Sequence, residues 1–312
     1  METYAMRILV VGAGATGGYF GGRLLESGQD VSFLVRPARA QALAAHGLAI
    51  RSALGDATLR APTVTAGELR GPYDLVLLSC KAYHLPQVIA DVAPAVGEGT
   101  AILPLLNGMR HLDALDARFG AARVLGGLCV IAATLGQDGE IRHLNRSHSL
   151  TFGERDGSRS ARVERIAQAM EGVKFDARLS SEVLQDMWDK WVFLASLAGI
   201  TCLMRAPVGD VVAAPGGLEA TLAMLEDCRR VASDHGHAPA ENVLAKARGV
   251  LTEEGSTLSA SMMRDLEQGG PVEADHVIGD LIARAAPGTA LPLLRMAYAH
   301  LKAYENRCAR TV

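Results

Sequence analysis

The sequence predicts an α/β fold: a parallel sheet with covering helices in its first half and an all-α second half. Three observations carry this. Short apolar β runs alternate with helical signals from Arg7 to Leu106, the pattern of strands buried on both faces in a parallel sheet. A glycine-rich turn, Gly12-Ala13-Gly14-Ala15-Thr16-Gly17, directly follows the first run. After about residue 178 helical periodicity takes over. A chain of 312 residues carries a prior of two domains. The expected division is a parallel-sheet domain over 1–178 and a helical domain over 179–312.

The elements read in order. Arg7–Val11 is a β run, Thr16–Ser27 a helix stopped by Gly28, and Val31–Val35 the next strand. Asp74–Ser79 is a strand, His84–Val92 a helix and Ala101–Leu106 a strand. Gly47–Arg60 and Glu140–Phe152 look like hairpin strands, expected as an antiparallel appendage on one sheet edge. Helices are expected over Glu182–Leu203, Leu218–His235, Ala240–Leu251, Val272–Ala286 and Ala290–Glu305, punctuated by Gly and Pro.

Composition excludes several classes. Apolar residues make up 49% and charged residues 21%, which excludes a disordered or collagen-like chain. Lys+Arg (31) nearly balances Asp+Glu (34), so no footprint for nucleic acid or an anionic membrane stands out. No long uncharged run suggests a membrane span, and the N-terminus does not read as a secretory leader. A cytoplasmic protein is expected. Cys80, Cys129, Cys202, Cys228 and Cys308 lie far apart without a CxxC, so reduced thiols are expected and no disulfide framework. The nine histidines lack a ligand-spaced set, and no metal is expected.

The glycine turn sits between a strand and a helix, the context that gives GxGxxG its meaning. Gly12 permits the tight turn, Gly14 lets the backbone approach a pyrophosphate, and Gly17 allows close helix–strand packing. Ala13, Ala15 and Thr16 complete a loop whose N–H groups face the anion. The competing reading is a close-packed turn without a ligand. After the second strand, where an acidic residue would bond the ribose of NAD, stands Arg36, followed by Pro37 and Arg39. A guanidinium pairs with a 2′-phosphate, so NADP(H) is the expected cofactor. A solvated loop arginine is the alternative.

In the first helix of the second half, Leu184, Met187, Trp188, Trp191, Leu194, Ala195 and Ala198 form one apolar stripe. Lys190 lies at its border, where the stem can cross apolar surface and present the ammonium at a domain seam. A partly desolvated ammonium there can donate a proton. An ordinary i, i+4 pair with Asp186 is the competing reading.

Taken together, the chain resembles the ketopantoate reductase (2-dehydropantoate 2-reductase) family. The resemblance runs over the GAGATGG loop, Arg36, Ser79-Cys80-Lys81-Ala82, Leu106-Asn107-Gly108-Met109, Trp188-Asp189-Lys190-Trp191, Ser259-Ala260-Ser261-Met262 with Asp265, and Glu273-Ala274-Asp275. It implies a Rossmann-type domain, NADPH-dependent reduction of a 2-oxo acid, and a step in pantothenate biosynthesis. By resemblance, Lys190 protonates the carbonyl oxygen, Glu273 holds substrate and tunes that lysine, Ser261 binds the substrate carboxylate, and Lys81 and Asn107 lie beside the cofactor. The chain departs from the family at four amide positions, occupied here by Leu194, Ala198, Leu258 and Ile278. Leu194 and Ala198 are therefore candidate substrate contacts. A more hydrophobic 2-oxo acid or ketone is the alternative acceptor, and an NADP(H)-binding sensor without turnover is the alternative of another class. Small-molecule partners are expected, and the apolar helices of the second half make a homodimer plausible.

Overall fold

A computed structural model describes residues 6–310. It divides into two compact units. One comprises the chain up to Leu106 together with His111–Leu184; the other comprises Asn107–Arg110 and the chain from Gln185 onward.

The first unit contains β1 (Arg7–Val11), α1 (Ala15–Glu26), β2 (Asp30–Leu34), α2 (Pro37–His46), β3 (Leu48–Arg51), β4 (Ala57–Leu59), β5 (Thr63–Val64), β6 (Leu75–Leu78), α3 (Leu85–Val92), β7 (Ala101–Pro104), most of α4 (Arg110–Phe119), β8 (Gly126–Leu135), β9 (Ile141–Gly153), α5 (Ala161–Ala169) and β10 (Asp176–Leu179). One sheet runs β5-β2-β1-β6-β7 with every pair parallel. β1 is central, and Ile8, Leu9 and Val10 are fully buried. This Rossmann-type order aligns the C-terminal ends of β1, β2, β6 and β7, the edge where open α/β sheets bind ligands.

The expected antiparallel appendage is instead a second sheet of its own. β3 and β4 form an antiparallel hairpin, and β8 pairs antiparallel with β9 along most of its length. β9 also pairs parallel with β3 and with β10, so the sheet is mixed. The hairpin signals were local; the parallel pairings join segments 91 positions apart, as Ile50 meets Ile141, which periodicity alone does not reveal.

Helix α1 explains why the two sheets coexist. Its sequence ATGGYFGGRLLE carries four glycines, each roughly 1 kcal/mol less favourable than alanine in a helix. Their placement shows the reason. A Cβ on Gly17 would meet Ser79 Oγ, and one on Gly21 would meet Phe33 and Val10, on the side of the parallel sheet. A Cβ on Gly18 would meet Ile141, and one on Gly22 would meet Ile50 and Leu48, on the side of the mixed sheet. The helix is thus pressed between two sheets by two i, i+4 pairs of glycines. Tyr19, Phe20 and Leu24 fill the remaining space with no exposure.

The second unit takes most of α6 (Val183–Met204), then α7 (Val208–Ala213), α8 (Gly217–Asp234), α9 (Glu241–Leu251), α10 (Ser261–Glu267), α11 (Asp280–Ala283) and α12 (Pro292–Ala309). By length and composition α6 could cross a membrane, yet 67% of its most apolar window is buried inside the protein. It packs closely on α8: a Cβ on Gly199 would lie 2.8 Å from Met224 Sδ. Asp227 of α8 accepts from the Leu293 and Leu294 N–H groups and so caps α12, which lacks its own cap. The helix expected over Val272–Ala286 is interrupted. Residues Asp275–Gly279 form a π turn, which runs directly into α11. The Trp191 indole donates to the Val277 carbonyl of this turn at 2.8 Å, which ties the turn to α6.

Candidate active site

In the first unit the loop after β1 has the predicted form. Gly12 adopts φ +91°, a conformation that favours glycine. Gly14 is the N-cap of α1 and no side chain caps that end. A Cβ on Gly14 would meet nothing within 4 Å, so the backbone here borders open space. Gly17 is the opposite case: its Cβ would fall 2.1 Å from Ser79 Oγ and 2.3 Å from the Gly12 carbonyl. Ser79 in turn donates to the Val11 carbonyl at 2.9 Å, joining the ends of β1 and β6. Ala13 is buried, and Ala15 and Thr16 are half-buried in the first turn of the helix. An uncapped helix N-terminus opening onto unfilled space fits a dinucleotide pyrophosphate.

Two arginines near this loop have different duties. Arg39, on α2, donates to the Ala13 carbonyl at 3.0 Å and to the Gly139 carbonyl at 3.0 Å. It ties the glycine loop to the β8–β9 turn, and burial lowers its pKa from the ordinary arginine value. Sequence reading names it only as a neighbour of Arg36, because a loop-bracing arginine has no motif. Arg39 also borders a cleft of about 600 Å³ with Arg51, Arg142, Asp138 and Glu140. Of the charges there, Arg142 pairs with Glu140 and Arg51 with Asp56. Arg36 is exposed and stands at the N-cap of α2. Its Nη2 lies 3.4 Å from both ring nitrogens of His84. Lys81 is half-buried at the C-terminal side of β6, and its carbonyl accepts from the His84 N–H.

The second unit assembles a separate group. Lys190 Nζ donates to Asn107 Oδ1 at 3.1 Å across 83 positions of sequence. The sequence reading expects Asn107 beside the cofactor; what the structure shows is that its amide oxygen accepts from the Lys190 ammonium. The His276 ring hydrogen-bonds the Asn107 main chain, and burial lowers its pKa, with Glu273 pulling the other way. Gly108, at φ +70°, packs so tightly on this turn that a Cβ would lie 2.7 Å from the His276 carbonyl. Lys190, Asn107, His276 and Glu273 thus form one connected set. Glu273 is 8% exposed, a carboxylate drawn into the interior. His276 was not singled out from sequence; a single histidine beside an apolar run gives no signal.

The remaining candidates are more dispersed. Ser261 opens α10 and is half-buried. Leu194 is half-buried, whereas Ala198 and Ile278 are buried at 2% and 0%. Asp189 is half-buried, bonded to Gln185, and held above the usual carboxylate range by burial. Trp188 stacks on both His235 and His237. Burial pushes Cys202 and Cys228 up to about 12, which leaves them inert. Among the described residues no group of three His, Cys, Asp or Glu could hold a metal ion.

Comparison with known proteins decides the family. Residues 8–157 match the family model described as ketopantoate reductase PanE/ApbA, and residues 182–305 match its C-terminal counterpart. The chain belongs to the ketopantoate reductase family. It is an oxidoreductase acting on CH–OH groups, as that family is. It is 40% identical over 302 residues to the uncharacterized oxidoreductase YkpB of Bacillus subtilis (strain 168), covering 96% of this chain and 99% of that one. A crystal structure of 2-dehydropantoate 2-reductase from Geobacter metallireducens GS-15 superposes with a TM-score of 0.87 at 30% identity, covering 96% of this chain and 99% of that chain. The structure of D-mandelate dehydrogenase with NADH and anilino(oxo)acetate gives a TM-score of 0.87 at 21% identity over 97% of this chain and 100% of that chain. That last likeness concerns the fold alone.

Proposed function

We propose that this oxidoreductase reduces a 2-oxo acid with NADPH, and that 2-dehydropantoate, giving pantoate, is the acceptor. The bond from Lys190 to Asn107 carries the reading: it fixes the ammonium of a half-buried lysine. In the first unit, the N–H groups of the Gly12–Gly17 loop would hold the pyrophosphate, Arg36 the 2′-phosphate, and Lys81 would lie beside the cofactor. When bound, the reduced nicotinamide supplies the hydride. Lys190 donates a proton to the carbonyl oxygen as negative charge develops there, an interaction stronger in the transition state than in the ground state. Asn107 orients that ammonium, Glu273 holds substrate and balances the lysine charge, and Ser261 receives the substrate carboxylate. An absorbance assay of NADPH consumption with 2-dehydropantoate tests this. No turnover with any 2-oxo acid would refute it.

A second acceptor class has its own support. Leu194, Ala198, Leu258 and Ile278 stand where the family pattern has amides. A pocket short of amide donors leaves a polar substrate tail unpaired, which disfavours it by about 1–3 kcal/mol. A panel of 2-oxo acids with graded side chains separates the readings. Highest kcat/KM on 2-dehydropantoate dismisses the apolar acceptor.

A further inference from the structure

We propose that His84 is the second half of a 2′-phosphate clamp with Arg36, and that it takes up a proton when NADP(H) binds. The inference rests on the NADP(H) reading above. Its basis is the close approach of a guanidinium and an imidazole, two groups that repel once both are charged. Arg36 Nη2 sits 3.4 Å from both Nδ1 and Nε2 of His84, at the long limit of hydrogen bonding. A protonated imidazole would be repelled by that guanidinium, so the ring is neutral while the two stand alone. Burial and then the Arg36 charge press its pKa down, and among the described residues no carboxylate is recorded as countering them.

Three features at this point favour an anion. Arg36 is exposed and presents a guanidinium. It is also the N-cap of α2, a helix of 10 residues whose first turn lacks a side-chain cap. His84 is half-buried at the end of the short turn Ala82–His84 that follows β6, and Tyr83 packs edge-on against its ring. Lys81 and Tyr83 are the other titratable groups of that turn; from α2 the facing charge is Arg36.

A dianion seated between the two side chains reverses the sign of the interaction. Repulsion from one guanidinium gives way to attraction by two negative charges, and the imidazolium becomes the favoured form. Phosphate monoesters are dianionic above about pH 7, so the proton goes to His84 rather than to the ligand. NAD(H), which has a hydroxyl there, offers no such charge. The clamp therefore makes NADP(H) affinity depend on pH while leaving NAD(H) affinity flat. Uptake of nearly one proton weakens NADP(H) binding by up to about tenfold per pH unit above neutrality.

Isothermal titration calorimetry of the full chain with NADP⁺ and NAD⁺ tests this, in two buffers of different ionisation enthalpy between pH 7 and 8.5. The wild type is expected to take up roughly half a proton or more with NADP⁺ and none with NAD⁺. His84→Gln is expected to bind NADP⁺ without uptake and with a flat pH profile. A wild type that prefers NADP⁺ but takes up no proton overturns the inference alone, as does His84→Gln retaining the wild-type uptake. Equal affinity for the two nucleotides overturns the NADP(H) reading itself. Because the wild-type measurement needs no variant, the test survives a substitution that fails to fold.

Discussion

The two groups of candidate residues, one in each unit, are built from different materials. In the first unit the nucleotide loop is backbone: glycines, an uncapped helix end and open space above Gly14. In the second unit the lysine group is side chain: Lys190, Asn107, His276 and Glu273 meet from four places in the chain. A backbone site fails when something is added, because a Cβ fills space the ligand or the neighbouring strand needs. A side-chain site fails when something is removed, because one missing atom breaks the relay. The two therefore call for opposite mutations.

The largest effect is expected from subtraction. Lys190→Ala removes the proton donor and leaves Asn107 without the ammonium it holds. Turnover should fall about 10²–10⁴-fold, while NADP⁺ affinity by calorimetry stays at the wild-type value. Steady-state kinetics that show near-normal kcat would dissolve the mechanistic role of the second unit.

Addition comes next, and two neighbouring glycines separate its consequences. Gly17→Ala puts a Cβ within 2.3 Å of the Gly12 carbonyl, which is main chain and yields poorly. Overpacking of that kind destabilises by about 1–3 kcal/mol, and the melting temperature should fall together with NADP⁺ affinity. Gly14→Ala meets no protein atom within 4 Å and Gly14 has φ −82°, so folding should be untouched. Its NADP⁺ affinity should nevertheless drop, by about 100-fold. If Gly14→Ala lowered the melting temperature as much as Gly17→Ala, the space above Gly14 would belong to the fold and not to a ligand.

This contrast also sets what could be read from sequence. A backbone site is written contiguously, so the six residues Gly12–Gly17 announce it. Lys190 was visible through the apolar stripe of its own helix and through family resemblance. Its bond to Asn107 was not visible, because no local pattern links positions 107 and 190. The five strands of the parallel sheet follow the rule that short buried runs alternate with helices, although β5 is only two residues and was missed. The mixed sheet was partly legible: Gly47–Arg60 and Glu140–Phe152 carry local strand signals, but β8, β10 and the parallel pairings of β9 were not read. The π turn at Asp275–Gly279 was read as ordinary helix, since the apolar spacing around it is the same.

Arg39 tests the join between loop and scaffold, and a smaller effect is expected. Arg39→Met keeps the stem but removes the bonds to the Ala13 and Gly139 carbonyls. Hydrogen bonds to charged groups contribute about 1.5–3 kcal/mol, and solvent at this half-buried site takes some of that. NADP⁺ affinity should weaken roughly three- to tenfold with kcat unchanged at saturation, which stopped-flow fluorescence of bound NADPH and steady-state rates can check. A fall in kcat instead would place Arg39 in the chemistry.

The smallest expected effect lies in the second unit and concerns proton balance. Burial holds the His276 pKa below its ordinary 6.5, so the folded chain binds fewer protons there than the unfolded chain. The contribution of this group is complete above about pH 6.5 and is lost as pH falls toward the lower folded value. His84, His148, His237 and His300 are also depressed by burial and act with the same sign. The wild-type melting temperature should therefore decline from pH 7 to pH 5. His276→Phe keeps an aromatic ring in the buried space but cannot be protonated and cannot bond the Asn107 main chain. At pH 7 it should melt lower than the wild type, by a few °C, and the gap should narrow as pH falls. A gap that widens on acidification would mean that His276 is charged in the folded protein, and that its partner is the Glu273 carboxylate more than the Asn107 backbone.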